Sequence, residues 1–76
     1  MIDKRKRQVY KDFGNNLKRI RRAKKISLRK LAAATGIDHS HIVKLEDGNY
    51  NPTLFTMILL AESLEVPLSD LLQGIR

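Results

Sequence analysis

Several residue types are missing or scarce in this 76-residue chain, which has no cysteine, no tryptophan, two prolines and four glycines. Without cysteine there can be no disulfide and no thiolate metal site, and a reducing compartment such as the cytoplasm is the simplest location to expect. No apolar run approaches the roughly 20 residues that cross a bilayer, and no targeting segment is recognisable. A chain this short has room for one small core, so we expect one domain that gains stability by self-association.

Positive charge is concentrated in the first 30 residues. They hold thirteen of the fifteen Lys and Arg against Asp3 and Asp12, a local net charge of +11, whereas residues 31–76 hold two cations against six carboxylates, a net charge of −4. A strong positive field on one part of a protein suits a polyanion, and nucleic acid is the first candidate. A solvated lysine-rich surface is the plainer alternative, and charge alone leaves both readings open.

Turn-forming residues recur at short intervals, and each segment between them has the length of a helix. The first helix is predicted from apolar residues spaced four, four and three apart, which form one stripe: Val9, Phe13, Leu17 and Ile20. A basic N-terminal arm precedes it. The sequence therefore predicts an all-α fold of five helices, with the arm over residues 1–8 and the domain over residues 9–76.

Residues 27–48 have the features of two short helices that cross at a steep angle. The caps and turn residues are, in chain order, Ser27, Gly36, Asp38 and Gly48. Ala32 supplies the small residue that such a crossing needs, and Ile42 and Leu45 anchor the second helix. Because these anchors turn inward, the polar N-terminal half of the second helix faces outward and is free to enter a groove. This pattern predicts a helix-turn-helix over about residues 27–48.

The fourth helix, which Thr53 caps, is apolar on nearly every face. We expect its core side to be the stripe formed by Leu54, Ile58, Ala61 and Leu64. Phe55 and Leu59 lie four apart on a second face, which either contacts a second copy of the chain or is covered by the last helix or the arm. The last helix is expected to begin at Pro67 and to end at Gly74. The predicted dimer contacts are Phe55, Leu59, Leu68 and Leu72.

From about Phe13 to Leu72 the chain resembles the phage repressor and Cro family, also called the XRE family, which includes restriction-modification controller proteins. The resemblance is carried by Arg21, Leu31-Ala32, Gly36-Ile37, Ile42, Leu45-Glu46, Gly48, Pro52 and Leu71-Leu72. It implies a compact, lambda-repressor-like DNA-binding domain of bacterial or phage origin. Such a protein would bind a palindromic operator in double-stranded DNA as a homodimer, and would repress by occlusion or activate by touching RNA polymerase.

The resemblance also implies roles for individual residues. Those expected to face base edges are Asp38, His39, Ser40 and Lys44. Those expected to face the DNA backbone are Lys25, Ser27, Arg29, Lys30, His41, Asn49 and Asn51. Arg21 and Glu46 are expected to form a structural ion pair between the first and third helices. Leu28 stands where most relatives have a glutamine that donates to a phosphate, so Arg29 and Lys30 are expected to replace that contact.

Two other classes of function were weighed against DNA recognition. Residues 17–31 are basic and amphipathic, which favours a module that binds a protein or membrane surface, although Lys25, Ile26 and Ser27 interrupt the stripe. An enzyme is the third class, but no nucleophile, base and orienting partner occur at a recognisable spacing. His39 and His41 point about 200° apart on a helix and cannot share one ion, so we expect no metal and no cofactor.

Overall fold

The computed structural model describes residues 2–76, which form five α-helices and no strand. The helices are α1 (Ile2–Ala23), α2 (Leu28–Thr35), α3 (His39–Glu46), α4 (Leu54–Leu64) and α5 (Leu68–Leu71). The predicted all-α fold is confirmed. No helix in this range combines the length and the apolar character that crossing a bilayer requires.

Helix α1 is longer than its apolar stripe predicted. Residues 2–8, expected to be an arm, form its first turns and run without a break into the stripe that begins at Val9. Lys, Arg and Gln are good helix formers, and neither glycine nor proline interrupts this stretch. Periodicity could not find these turns because they make no contact with the core that would require apolar residues. The basic arm is therefore a helical extension of the domain.

A single apolar core lies where the helices meet. Helix α1 contributes the predicted side chains Phe13, Leu17 and Ile20, and Leu17 is fully buried. The buried apolar residues of the other helices are Leu31, Ile42, Leu45, Leu60, Ala61, Leu64 and Leu71. Partly buried side chains around them include Leu28 and Ile37, so Leu28 packs against the core. The core thus joins both helices of the helix-turn-helix to α1 and α4.

The predicted core stripe of α4 is half wrong. Ala61 and Leu64 are buried, but Leu54 is 62% exposed and Ile58 is 36% exposed, while Leu60 is fully buried in their place. A helix that is apolar nearly all round contains several stripes at helical spacing, and periodicity does not choose among them. Packing against α2 and α5 makes the choice, because it turns the Leu60 side inward.

The helix caps follow the sequence closely. The hydroxyl oxygen of Ser27 accepts the Lys30 amide at 3.0 Å, and that of Thr53 accepts the Thr56 amide at 3.1 Å. Gly36 has φ +76° and donates its amide to the Ala32 carbonyl at 2.8 Å, which ends α2. Helix α5 stops at Leu71, short of the predicted end at Gly74.

Gly14 brings the backbones of α1 and α3 together. A Cβ atom added at Gly14 would lie 2.6 Å from the Glu46 carbonyl oxygen and closer still to that of Leu45. Only a residue without a side chain fits there. A glycine in the middle of a helix often marks such a close approach, so the sequence signal at Gly14 is its position inside α1. Helix α3 therefore rests directly on the backbone of α1.

Candidate nucleic-acid interface

The buried side of α3 determines which of its side chains reach solvent. Ile42 and Leu45 are both fully buried, so the helix cannot rotate about its axis without exposing one of them. Ser40 and Lys44 lie on the opposite, exposed side, and His39 is exposed at the first residue of the helix. The structure thus brings three of the four side chains predicted to face base edges onto one polar surface.

Asp38, the fourth of them, caps α3. Its carboxylate accepts the Ser40 amide at 3.0 Å and also the Ser40 hydroxyl. Hydrogen bonds from the Ser40 hydroxyl, which has the larger effect, and from the Ser40 amide lower the pKa of Asp38 below its ordinary value of 3.8. Because the Ser40 hydrogen is directed at Asp38, the Ser40 oxygen keeps only acceptor capacity toward another molecule.

His39 and Lys44 keep their polar atoms available. Across residues 2–76 neither side chain makes a hydrogen bond to another residue. The Lys44 ammonium has three donors, and the His39 imidazole has a donor and an acceptor when neutral. These two side chains are therefore the strongest candidates for direct contact with a polar ligand at this surface.

A buried ion pair holds the C-terminal end of α3. The Nε atom of Arg21 lies 2.6 Å from Glu46 Oε2, and its Nη2 atom donates to Glu46 Oε1 at 3.1 Å. The Nη1 atom of Arg21 donates to the Ile26 carbonyl at 2.8 Å. This bidentate geometry is the strong form of the interaction, and it ties α3 to α1 and to the turn before α2. Arg21 thus lies in the interior, although its sequence neighbours are basic and exposed.

The residues predicted to face the DNA backbone lie in two places. Arg29 and Lys30 are exposed in the first turn of α2, next to the turn residues Lys25 and Ser27. The Ser27 hydroxyl oxygen is already engaged as the cap of α2. Asn49 and Asn51 are exposed in the loop between α3 and α4, where the other cluster lies.

Tyr50 was missed by the sequence reasoning. Its ring meets that of His41 edge to face, with centroids 4.4 Å apart and an interplanar angle of 66°. His41 is half-buried by its surroundings. This contact supports the loop between α3 and α4 against α3, which is a positioning role for His41. No sequence signal indicates the pairing, because it depends on how the loop folds back.

The predicted dimer contacts differ in their exposure. Phe55 is 67% exposed and Leu72 is 39% exposed, whereas Leu59 and Leu68 are half-buried and Leu68 packs against the core. Leu54 and Ile58 add to the exposed apolar surface of α4. The alternative that the last helix or the arm covers Phe55 is wrong for the described chain. Large exposed apolar side chains are thus concentrated on one side of α4 and at Leu72.

The structure also bears on the surface-binding alternative for residues 17–31. These residues form the end of α1, a turn and the first half of α2, not one continuous helix. Leu17, Ile20 and Leu31, which would form the apolar side of such a helix, are all buried in the core. The segment therefore offers no apolar face to a membrane or to a partner helix.

The chain is similar to a known protein family and to curated proteins. The helix-turn-helix family model matches residues 17–71. An uncharacterized HTH-type transcriptional regulator of Bacillus subtilis, RghRB, is 38% identical over 61 residues, which are 79% of this chain and 44% of that protein. Another, y4dJ of Sinorhizobium fredii, is 36% identical over 53 residues, 70% of this chain and 69% of that protein. The chain spans less than half the length of the first relative.

Two solved structures have a similar fold. The restriction-modification controller protein C.AhdI from Aeromonas hydrophila matches with a TM-score of 0.79 and 32% identity, over 82% of this chain and 94% of that one. An HTH_3 family transcriptional regulator from Vibrio cholerae matches with a TM-score of 0.83 and 27% identity, over 87% of this chain and 37% of that one. The likeness to the controller protein covers nearly all of that chain.

Proposed function

Because the chain belongs to the helix-turn-helix family, we propose that it is a transcriptional regulator that recognises a palindromic operator in double-stranded DNA as a homodimer. The observation that supports this proposal is how α3 is held on the rest of the domain. Its apolar side is fully buried, its end is tied to Arg21, and its exposed side presents short polar groups at the N-terminal end. A helix held in this way can enter the major groove with its side chains at defined positions.

Base recognition in this proposal depends chiefly on Lys44 and His39. Lys44 donates to the O6 and N7 atoms of guanine, and His39 donates to an acceptor such as guanine N7. The Ser40 oxygen accepts a hydrogen bond, because its hydroxyl already donates to the Asp38 carboxylate. Asp38 contributes mainly by starting α3 at the right place. Each well-formed base contact contributes roughly 1 to 3 kcal/mol of discrimination.

The two clusters that flank α3 position the protein on the DNA backbone. Lys25, Ser27, Arg29 and Lys30 form the cluster at the start of α2, and Asn49 and Asn51 form the cluster in the loop after α3. His41 of α3 is the remaining predicted contact. Contacts to phosphates fix the register of the protein without reading sequence. They also make the affinity fall with salt, because each neutralised phosphate releases counterions.

The homodimer is proposed to form through the exposed side of α4. Phe55, Leu59, Leu68 and Leu72 are its predicted contacts, and the exposure of Phe55 supports this assignment. Two copies of α3 about one turn of DNA apart, roughly 34 Å, would read a palindrome. The bound dimer would repress by occluding a promoter or activate by touching RNA polymerase. The likeness to a restriction-modification controller protein supports a regulatory role.

The test is selection of bound sequences from a random duplex library. We expect enrichment of a palindrome by the wild-type protein. Lys44→Ala should relax the base preference at one position in each half-site, with a loss of roughly 5- to 150-fold in discrimination there. Lys24→Ala is the matched control, because Lys24 is exposed outside the predicted contacts, and it should leave the preferred sequence unchanged. No enrichment by the wild type would overturn the proposal.

A further inference from the structure

A cleft of about 380 Å³ opens beside the loop that follows α3, outside the base-reading surface. One wall is the N-terminal half of α1, which contributes Lys6, Arg7 and Lys11. The other wall is formed by Gly48 and Asn49. The helical extension of α1 thus creates a surface that the core of the domain does not need.

The two walls are in direct backbone contact. Gly48 is buried with φ +75°, and a Cβ atom added there would lie 2.8 Å from both Cα and Cγ of Lys11. Any other residue at this position would push α1 away from the loop. The close approach holds the cations of α1 at a defined distance from Asn49, which a freely moving basic arm would not do.

The charge of the cleft is strongly positive. Its three cations are exposed, and one carboxylate, Asp3, lies among the lining residues together with Tyr10. Within residues 2–76, no carboxylate approaches Lys6, Arg7 or Lys11 within 4.0 Å. The cations therefore remain available to an anion from outside, and the Asn49 and Tyr10 side chains add neutral donors.

We propose that this cleft binds a phosphate group of the DNA backbone outside the bases that α3 reads. The inference rests on the proposed function, because Asn49 belongs both to the cleft and to the loop predicted to face phosphates. DNA that reaches Asn49 from the side of α3 would carry its next phosphates toward Lys6 and Arg7. The extension of α1 then adds a contact to the DNA backbone at a fixed position. This contact helps to set the register of the protein on the DNA, in addition to attracting it.

The chain offers a charge-matched control for this proposal. Lys6 and Arg7 line the cleft, whereas Lys4 and Arg5, in the preceding positions of the same helix, do not. The variants K6Q/R7Q and K4Q/R5Q each remove one Lys and one Arg from adjacent positions of the same helix. Long-range attraction to DNA should fall similarly in both, so a difference between them reports contact in the cleft.

The experiment measures the affinity of both variants and the wild type for the duplex enriched from the library, at several salt concentrations. For K6Q/R7Q, the slope of log affinity against log salt concentration should become shallower by about 0.9 to 1.8. The affinity should fall about 5- to 30-fold at about 0.15 M salt. K4Q/R5Q should change this slope by less than half as much as K6Q/R7Q does. Far-UV circular dichroism confirms that both variants keep the helical fold.

The outcomes separate this inference from the proposed function. If a palindrome is enriched but the two variants bind it equally, the cleft does not contact DNA and the inference is wrong, while the proposed function stands. If Lys6 and Arg7 bind an acidic protein surface instead, K6Q/R7Q will again match K4Q/R5Q in DNA affinity. If no DNA is bound by the wild type, both proposals are overturned.

Discussion

Helices α1–α3 and helices α4–α5 use different interactions and show different surfaces. In the first group, a buried ion pair and the backbone contact at Gly14 fix α3 on α1, and the outer surface is polar and largely cationic. In the second group, apolar side chains both fill the core and remain exposed, as at Leu60 and Phe55. The molecule therefore has two unlike surfaces, a cationic polar one on the first three helices and an exposed apolar one on α4.

Removing one member of the buried ion pair should have the largest effect. Glu46→Leu leaves Arg21 charged and buried without its partner, which is expected to destabilise the fold by about 3–5 kcal/mol. For a domain this small, that is most of its stability. Urea titration followed by circular dichroism measures the free energy of unfolding.

The double variant Arg21→Met/Glu46→Leu tests whether the charge itself stabilises the fold. Replacing both partners by apolar residues removes the uncompensated charge, so its stability should return close to that of the wild type. Glu62→Gln, in an exposed position of α4, is the control and should change the stability by less than about 0.5 kcal/mol. If Glu46→Leu lowers the free energy of unfolding no more than this control does, the buried ion pair is not what distinguishes the first group of helices.

A charge on the exposed face of α4 should disrupt assembly and leave the fold intact. Phe55→Glu is expected to weaken dimerisation by at least about 30-fold, since central aromatic contacts often contribute 2 kcal/mol or more. Its unfolding free energy should hardly change at protein concentrations where the monomer dominates, because Phe55 is mostly exposed. Sedimentation equilibrium measures the dissociation constant. An unchanged constant would show that this face is not the dimer surface.

The smallest effect is expected at the start of α3 and depends on pH. The Ser40 hydroxyl and amide lower the pKa of Asp38 below 3.8, so the ionised carboxylate favours the folded state. Its contribution is complete above that ordinary value and is lost as the pH falls through the lowered pKa. Asp38→Asn keeps a capping oxygen without the charge. The difference in melting temperature between wild type and variant should therefore narrow on acidification, and a constant difference would contradict this account.

The helix-turn-helix was predictable because its signals are local. The caps Ser27 and Asp38, the turn at Gly36 and the anchors Ile42 and Leu45 each follow from a few neighbouring residues, and the structure has all of them. The family resemblance added the pairing of Arg21 with Glu46, which no local pattern indicates. The structure brings these two side chains together.

The errors occurred where contacts between distant segments decide the outcome. Leu54 and Ile58 fitted a core stripe of α4, but the packing partners of α4 select Leu60 instead. Residues 2–8 lacked apolar periodicity because their helix lies beside a loop and not over the core. The cleft beside Gly48 and the ring contact of His41 with Tyr50 both need the loop after α3 to be in place. The apolar periodicity of one element does not show which distant segment packs against it.

The contact at Gly14 also bears on how new binding preferences can arise in this scaffold. The spacing between α1 and α3 is set there by main-chain atoms, so it does not depend on which side chains α3 carries on its outer face. Residues such as His39 and Lys44 can therefore be exchanged without moving the helix that bears them. Under the proposed function, a change of target sequence would require only a few substitutions on α3, with no compensating changes in the core.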